Sequence, residues 1–125
     1  MGKKVIIAIG ERMGKGQKVA AGIEKAGGIA IHIPGMAADM KLGDVMHEKG
    51  ADLGLSFCGG GGAGALTASN KYGYKCRHSM RSVGEGVTAV KEGIQVLGFG
   101  FLDTEELGKS ITEAYYALHG KPDEE

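Results

Sequence analysis

Five short apolar runs alternate with stretches of helical spacing, and this alternation leaves few folds open. The runs are Val5–Ile9, Ile29–Ile33, Leu53–Phe57, Tyr74–His78 and Gln95–Phe101. Runs this short and this apolar suit strands buried on both faces, Tyr74–His78 being the weakest of them. Between them, Gln17–Ala26 sets Val19, Ala20, Ile23 and Ala26 at helical spacing. Asp39–Lys49 carries Met40, Leu42, Val45 and Met46 on an apolar side, with Met36 just before it. Ala65–Tyr72 can form a short helix, and Ser82–Glu92 groups Val83, Val87 and Val90. In the last helix Asp103-Thr104-Glu105-Glu106 reads as a capping box, and Leu107, Ile111, Ala114, Tyr115 and Leu118 form one stripe. Gly120 and Pro122 end it.

Strand–helix alternation repeated five times predicts an α/β fold, three-layered around a five-stranded parallel sheet. Right-handed crossovers narrow the topology, and the expectation is the flavodoxin-like (Rossmann-like) order 2-1-3-4-5. The length of 125 residues suits one domain, expected over residues 1–121 with a frayed tail at 122–125.

Composition excludes several function classes. Lys and Arg number 15, as do Asp and Glu, so no basic footprint for nucleic acid is present. No run reaches the roughly 18 apolar residues of a membrane span. The opening Met1-Gly2-Lys3-Lys4 leads into an apolar stretch too short for a signal peptide. Cys58 and Cys76 form no Cys-x-x-Cys pair, which points to a reduced, cytoplasmic protein. No two histidines share ligand spacing, so no metal is expected.

Glycine stands out at 24 of 125 residues, against about 7% in ordinary usage. With 2 prolines and no G-X-Y period the chain is not collagen-like. Glycines concentrate where the backbone must turn tightly or approach something closely. In a parallel sheet ligands bind beyond the carboxyl ends of the strands, at the switch point between strands 1 and 3. Two unusual loops fall there: Gly10-Glu11-Arg12-Met13-Gly14-Lys15-Gly16-Gln17 after the first run, and Cys58-Gly59-Gly60-Gly61-Gly62-Ala63-Gly64-Ala65 after the third. Strand 4 is expected to bring Arg77, His78 and Arg81 alongside. A glycine run opening a helix exposes backbone N–H groups that suit an anion. The plainer alternative is a tight strand-to-helix turn, for which one or two glycines suffice. Arg12, Lys15, Arg81 and the glycines Gly59, Gly60, Gly61, Gly62 and Gly64 are therefore candidate anion ligands.

Gly59-x-Gly61-x-x-Gly64 formally matches a dinucleotide fingerprint. It follows the third strand rather than the first, and Arg77-His78-Ser79 stands where the acidic ribose ligand belongs, so no cofactor is expected. The first loop is not a Walker A motif, because Lys15 occupies a required glycine position. Two readings of Cys58 stand side by side. A thiol beside a helix N-terminus and cations can have a lowered pKa and act as base or nucleophile. Most free cysteines are instead small buried hydrophobes. Glu11 and His78 are the acid–base candidates near it. His32 lies in an apolar strand and reads as core or strand-end structure, His47 and His119 as helix surface, and Cys76 as core. Tyr115, Tyr116 and the Met-rich second helix suggest a homo-oligomer face.

The stretch Ser56-Phe57-Cys58-Gly59-Gly60-Gly61-Gly62-Ala63-Gly64-Ala65 resembles the signature of a small bacterial family of glycine-rich SFCGGGGAGA proteins. The family has no established activity. Its genes tend to lie beside those of predicted membrane proteins and of enzymes of amino-sugar-acid breakdown. The resemblance thus implies a cytoplasmic part in carbohydrate uptake or catabolism, with a membrane-protein partner open.

A more distant resemblance covers Ala51–Leu55, Cys58-Gly59, Gly62, Gly64, Ala68-Ser69-Asn70-Lys71, Gly73 and Gln95–Gly100. These are similar to type B ribose-5-phosphate isomerases and galactose-6-phosphate isomerase subunits. The resemblance implies Cys58 as the proton-transferring base, Gly59–Gly64 as the anion loop and Asn70-Lys71 closing the motif. The family's Asp-His pair after strand 1 is replaced here by Glu11-Arg12. The expectation is a protein that binds a small anionic sugar derivative, with isomerase-like chemistry. The alternative is a non-catalytic subunit of a carbohydrate transport or regulatory assembly.

Overall fold

The structure, a computed structural model, describes residues 3–10, 16–33, 38–57, 71–100 and 102–121. In chain order the elements are β1 (Ile6–Gly10), α1 (Gln17–Lys25), β2 (Ile29–Ile33), α2 (Ala38–Lys49), β3 (Leu53–Phe57), β4 (Cys76–Met80), α3 (Val83–Lys91), β5 (Val96–Phe99) and α4 (Glu105–His119). The five strands form one sheet, parallel at every pairing. The α/β architecture and the expected β2-β1-β3 half are as the sequence implies.

The order of the last two strands differs from expectation. The sheet runs β2-β1-β3-β5-β4, not 2-1-3-4-5. Interior strands must lose water on both faces. All of β5 is buried, whereas β4 exposes His78 and Ser79 and can serve only as an edge.

Right-handed crossovers then assign the helices to layers. The β1-to-β2 and β4-to-β5 connections run one way across the sheet, and β2-to-β3 runs the other. Accordingly α1, α3 and α4 share one face around Ile7, Ile9, Leu55, Leu97 and Phe99, while α2 covers the other with Leu42 and Met46. α4 packs between α1 and α3. Glycine makes the α1–α4 approach possible: a Cβ on Gly22 would strike the Glu105 carbonyl, and one on Gly108 the Val19 carbonyl.

This approach rotates the buried face of α4. Gly108, Thr112 and Tyr116 are buried with Leu107, Ile111 and Ala114, while Tyr115 is half-buried and Leu118 is 49% exposed. Thr112 satisfies its hydroxyl on the Gly108 carbonyl at 2.8 Å. Tyr116 donates to the Gly27 carbonyl at 2.7 Å and accepts from the Val5 N–H at 3.1 Å. Tyr116 and Met46 are thus core residues rather than parts of an outer face. His32 is exposed near the end of edge strand β2, so it is strand-end structure and not core.

The helix caps also differ from the local pattern. Thr104 caps α4 by accepting from the Leu107 N–H at 3.1 Å, so the N3 position holds leucine and no reciprocal carboxylate exists. Asp103 instead accepts from the Val19 N–H at 3.1 Å, at the third position of α1. α1 starts at Gly16, which has φ of 113° and no side chain to cap with, so the cap comes from a distant part of the chain. On α3, Ser82 caps by accepting from the Glu85 N–H at 3.2 Å, and the Glu85 carboxylate accepts from the N–H of Arg81, one residue before the cap, at 3.0 Å.

Candidate functional site

The carboxyl edge of the sheet is built by register. Gly10 at the end of β1 pairs with Ser56 of β3, and Phe57 pairs with Phe99 of β5. The chain therefore leaves β1 toward Glu11 and leaves β3 toward Cys58 from adjacent strand ends. Glu11, Arg12, Lys15, Cys58, Gly59, Gly60, Gly61, Gly62, Gly64 and Asn70 themselves lie outside the described residues. Ser56 is fully buried one step before the rim.

Of the other expected site residues, Arg81 comes closest to this edge. A Cβ on Gly100 would sit 3.0 Å from Arg81 Nη1 and 3.3 Å from its Cζ. The guanidinium thus lies over the carboxyl end of β5, the strand next to β3, and Gly100 leaves the room for it. His78 sits farther out. β5 stands between β3 and β4, so His78 is exposed on the edge strand, with Nδ1 2.9 Å from Ser79 Oγ. Arg77 turns away to pair with Glu92 at 2.5 Å.

Sequence reasoning missed the irregularity here. The β4–β5 register shifts between Arg77 and Met80, and Ser79 takes φ of 62°, a region that residues with side chains rarely occupy. The shift turns Met80 inward to 2% exposure directly before Arg81. No glycine or proline in Cys76–Met80 signals it.

Two clefts lie elsewhere among the described residues. One of about 570 Å³ follows the β4 edge, lined by Arg77, His78, Ser79, Ser82, Glu85 and Thr88 among others. One of about 530 Å³ opens at the amino ends of the strands, with Asp52, Lys75, Gln95, Tyr115 and His119 in its wall. There burial, followed by the charge and hydrogen bond of Asp52, pushes the Tyr115 hydroxyl above its usual pKa. Asp52 also accepts from the Ile6 N–H at 2.8 Å. Among the described residues no cluster of His, Cys, Asp and Glu could hold a metal ion, and no helix is long and apolar enough to cross a membrane.

The sequence matches the family described as glycine-rich SFCGS over residues 5–118. The chain belongs to that family. No curated protein matches it. Solved structures similar to this SFCGS protein include type B ribose-5-phosphate isomerases. That of Trypanosoma brucei superposes with a TM-score of 0.66 at 16% identity, covering 92% of this chain and 85% of that one. That of Mycoplasma genitalium, solved with bound ribulose-5-phosphate, gives 0.65 at 14% identity, covering 92% and 84%. That of Giardia lamblia gives 0.62 at 19% identity, covering 93% and 95%. At these identities the likeness establishes a shared fold.

Proposed function

We propose that this SFCGS protein binds a small anionic sugar derivative, a sugar phosphate or sugar acid, in the cytoplasm, at the carboxyl rim where β1 and β3 end side by side. The observation that carries the reading is the β1–β3 register, which starts the Arg12/Lys15 loop and the Cys58 glycine run from neighbouring strand ends. Arg81 over the end of β5 adds a described cation on the same edge. The shared fold with type B ribose-5-phosphate isomerases, one holding ribulose-5-phosphate, supports the ligand class. In the catalytic form of this reading the Cys58 thiolate takes the C2 proton of an open-chain aldose. The electron pair forms the enediolate, and the thiol returns its proton to C1 to give the ketose. Glu11 is the candidate for moving the hydroxyl proton.

A thermal-shift series with ribose 5-phosphate, gluconate and inorganic phosphate tests the binding. A ligand at 100 times its Kd adds about 2.7 kcal/mol to stability. A shift with a sugar ligand and none with phosphate alone is the expected result, and a flat series refutes the reading. Gly100→Ala should displace the Arg81 guanidinium, the movable partner of that contact, and weaken binding with little change in melting temperature. Cys58→Ser should abolish ribose 5-phosphate isomerisation while leaving binding measurable.

A further inference from the structure

We infer that Ser79 is a positioning residue for Arg81: its left-handed backbone makes the bulge in β4 that sets the Arg81 guanidinium over the carboxyl end of β5. The binding half of this inference rests on the ligand reading above; the backbone half does not.

The ladder between β4 and β5 locates the bulge. Cys76 pairs with Val96 and Arg77 with Leu97, and the next pair is Met80 with Phe99. β4 therefore advances three residues while β5 advances two, so the edge strand holds one extra residue. The side chains record the same event. Residues four apart on a regular strand share a face. Cys76 packs instead with Leu42 and Met46 on the α2 side, and Met80 joins Leu97, Phe99 and Leu107 on the other. A slip of one residue is what exchanges the faces. Ser79, with φ of 62°, is the one non-glycine among the described residues at positive φ, and it lies inside the slip.

The bulge decides where Arg81 starts. In an unbroken ladder Met80 would stand opposite Gly100, and Arg81 would fall one place beyond it. The extra residue draws Arg81 back by one rise, about 3.3 Å, to the level of Gly100. There the guanidinium covers the glycine: a Cβ on Gly100 would lie 3.0 Å from Nη1, 3.3 Å from Cζ and 3.6 Å from Nη2. Both flanks of the slip are fixed. On one side Arg77 pairs with Glu92. On the other, the Gly100 N–H donates to the Met80 carbonyl at 2.9 Å, Met80 is buried, and the Arg81 N–H donates to the Glu85 carboxylate at 3.0 Å. A strained residue persists where its surroundings over-determine it in this way. A bulge on an edge strand can also keep other sheets from pairing there. That purpose requires no set place for Arg81, whereas the room left at Gly100 fits its guanidinium.

Amide exchange of the whole protein tests the backbone half without a ligand. In Ser79→Val the β-branched side chain disfavours positive φ, so the Gly100 amide should exchange roughly tenfold faster while the β1 and β3 amides keep their wild-type rates. Ser79→Gly, which adopts that conformation freely, should keep the wild-type rate and melt no lower. An unchanged Gly100 amide in Ser79→Val overturns the inference. Calorimetry with ribose 5-phosphate tests the binding half. Arg81→Ala should bind roughly tenfold more weakly, and Ser79→Val should lose a similar factor. Ser79→Gly should bind as wild type, which separates the backbone from the hydroxyl that meets His78. In an Arg81→Ala background Ser79→Val should have no further effect on affinity, because both changes act through one guanidinium. Tyr116→Phe, whose lost contacts lie at Val5 and Gly27, should bind as wild type, so lowered stability alone does not imitate the effect. Full affinity in Ser79→Val, with or without self-association, or an equal further loss in the Arg81→Ala background, overturns the positioning role. Failure of the wild type to bind counts against the ligand reading instead, and the exchange experiment still decides the backbone half.

Discussion

Replacing Gly108 by alanine should destabilise the protein, although alanine is the better helix former. In a helix interior the exchange gains about 1 kcal/mol of propensity. Against that, the new Cβ meets the Val19 carbonyl, with the Ile23 N–H only 2.9 Å away. Both are backbone groups of α1, so no side chain can swing aside; the helices must move apart. α1 carries the buried Val19 and Ile23, and α4 the buried Leu107 and Ile111, so separation opens the core on that face. Overpacking costs 1–3 kcal/mol, occasionally more, and a backbone-on-backbone clash belongs at the upper end. The net loss should be about 2 kcal/mol, or roughly 8 °C in melting temperature at about 4 °C per kcal/mol. Urea denaturation followed by far-ultraviolet circular dichroism measures it. Gly84→Ala on α3, where a Cβ meets nothing within 4 Å, is the control and should be neutral or mildly stabilising. Gly22→Ala should resemble Gly108→Ala, and the double variant should lose less than the sum, because both report one crossing. A Gly108→Ala protein as stable as wild type would refute the close approach of α1 and α4.

Tyr116→Phe should cost about 1–3 kcal/mol in urea melts, because it strands the buried Val5 N–H and removes the donor to the Gly27 carbonyl. Asp103→Ala removes the cap that α1 takes from outside itself, and should lower stability by about 1 kcal/mol, with faster amide exchange confined to the first turn of α1. Tyr115 has a raised folded-state pKa, so its contribution is complete below the unfolded value of about 10 and is lost as pH rises through the higher folded value. The stability of wild type relative to Tyr115→Phe should therefore fall from pH 9 to pH 11; a constant difference would refute the assignment.

Much of the fold was legible because it follows from local pattern. The runs Ile29–Ile33 and Leu53–Phe57 coincide with β2 and β3, and Gln17 and Lys49 mark true helix ends. The β4/β5 exchange was less legible, since both orders satisfy alternation and handedness. The polarity of Cys76–Met80 was the available clue that β4 is an edge. Ser82-x-x-Glu85 has the same spacing as Asp103-x-x-Glu106, and there the first residue does cap its helix. At the site, the adjacency of the ends of β1 and β3 follows from the sheet order, whereas the positions of Arg81 and His78 depended on which strand stands beside β3.

Hydrophobic period, glycine placement and chain length thus determined by themselves an α/β sheet whose first and third strands are followed by glycine-rich stretches of sequence. These are properties of neighbouring residues and need no knowledge of distant ones. Only the tertiary structure decided which strand is interior, that Asp103 caps a helix 84 residues away in sequence, and that Asp44 gathers Lys71 and Tyr72 across a separation of 27 and 28. Such contacts form between groups that no short window contains. Their partners are selected by the packing of α1 on α4 and of α2 on the sheet, which the chain as a whole must settle first.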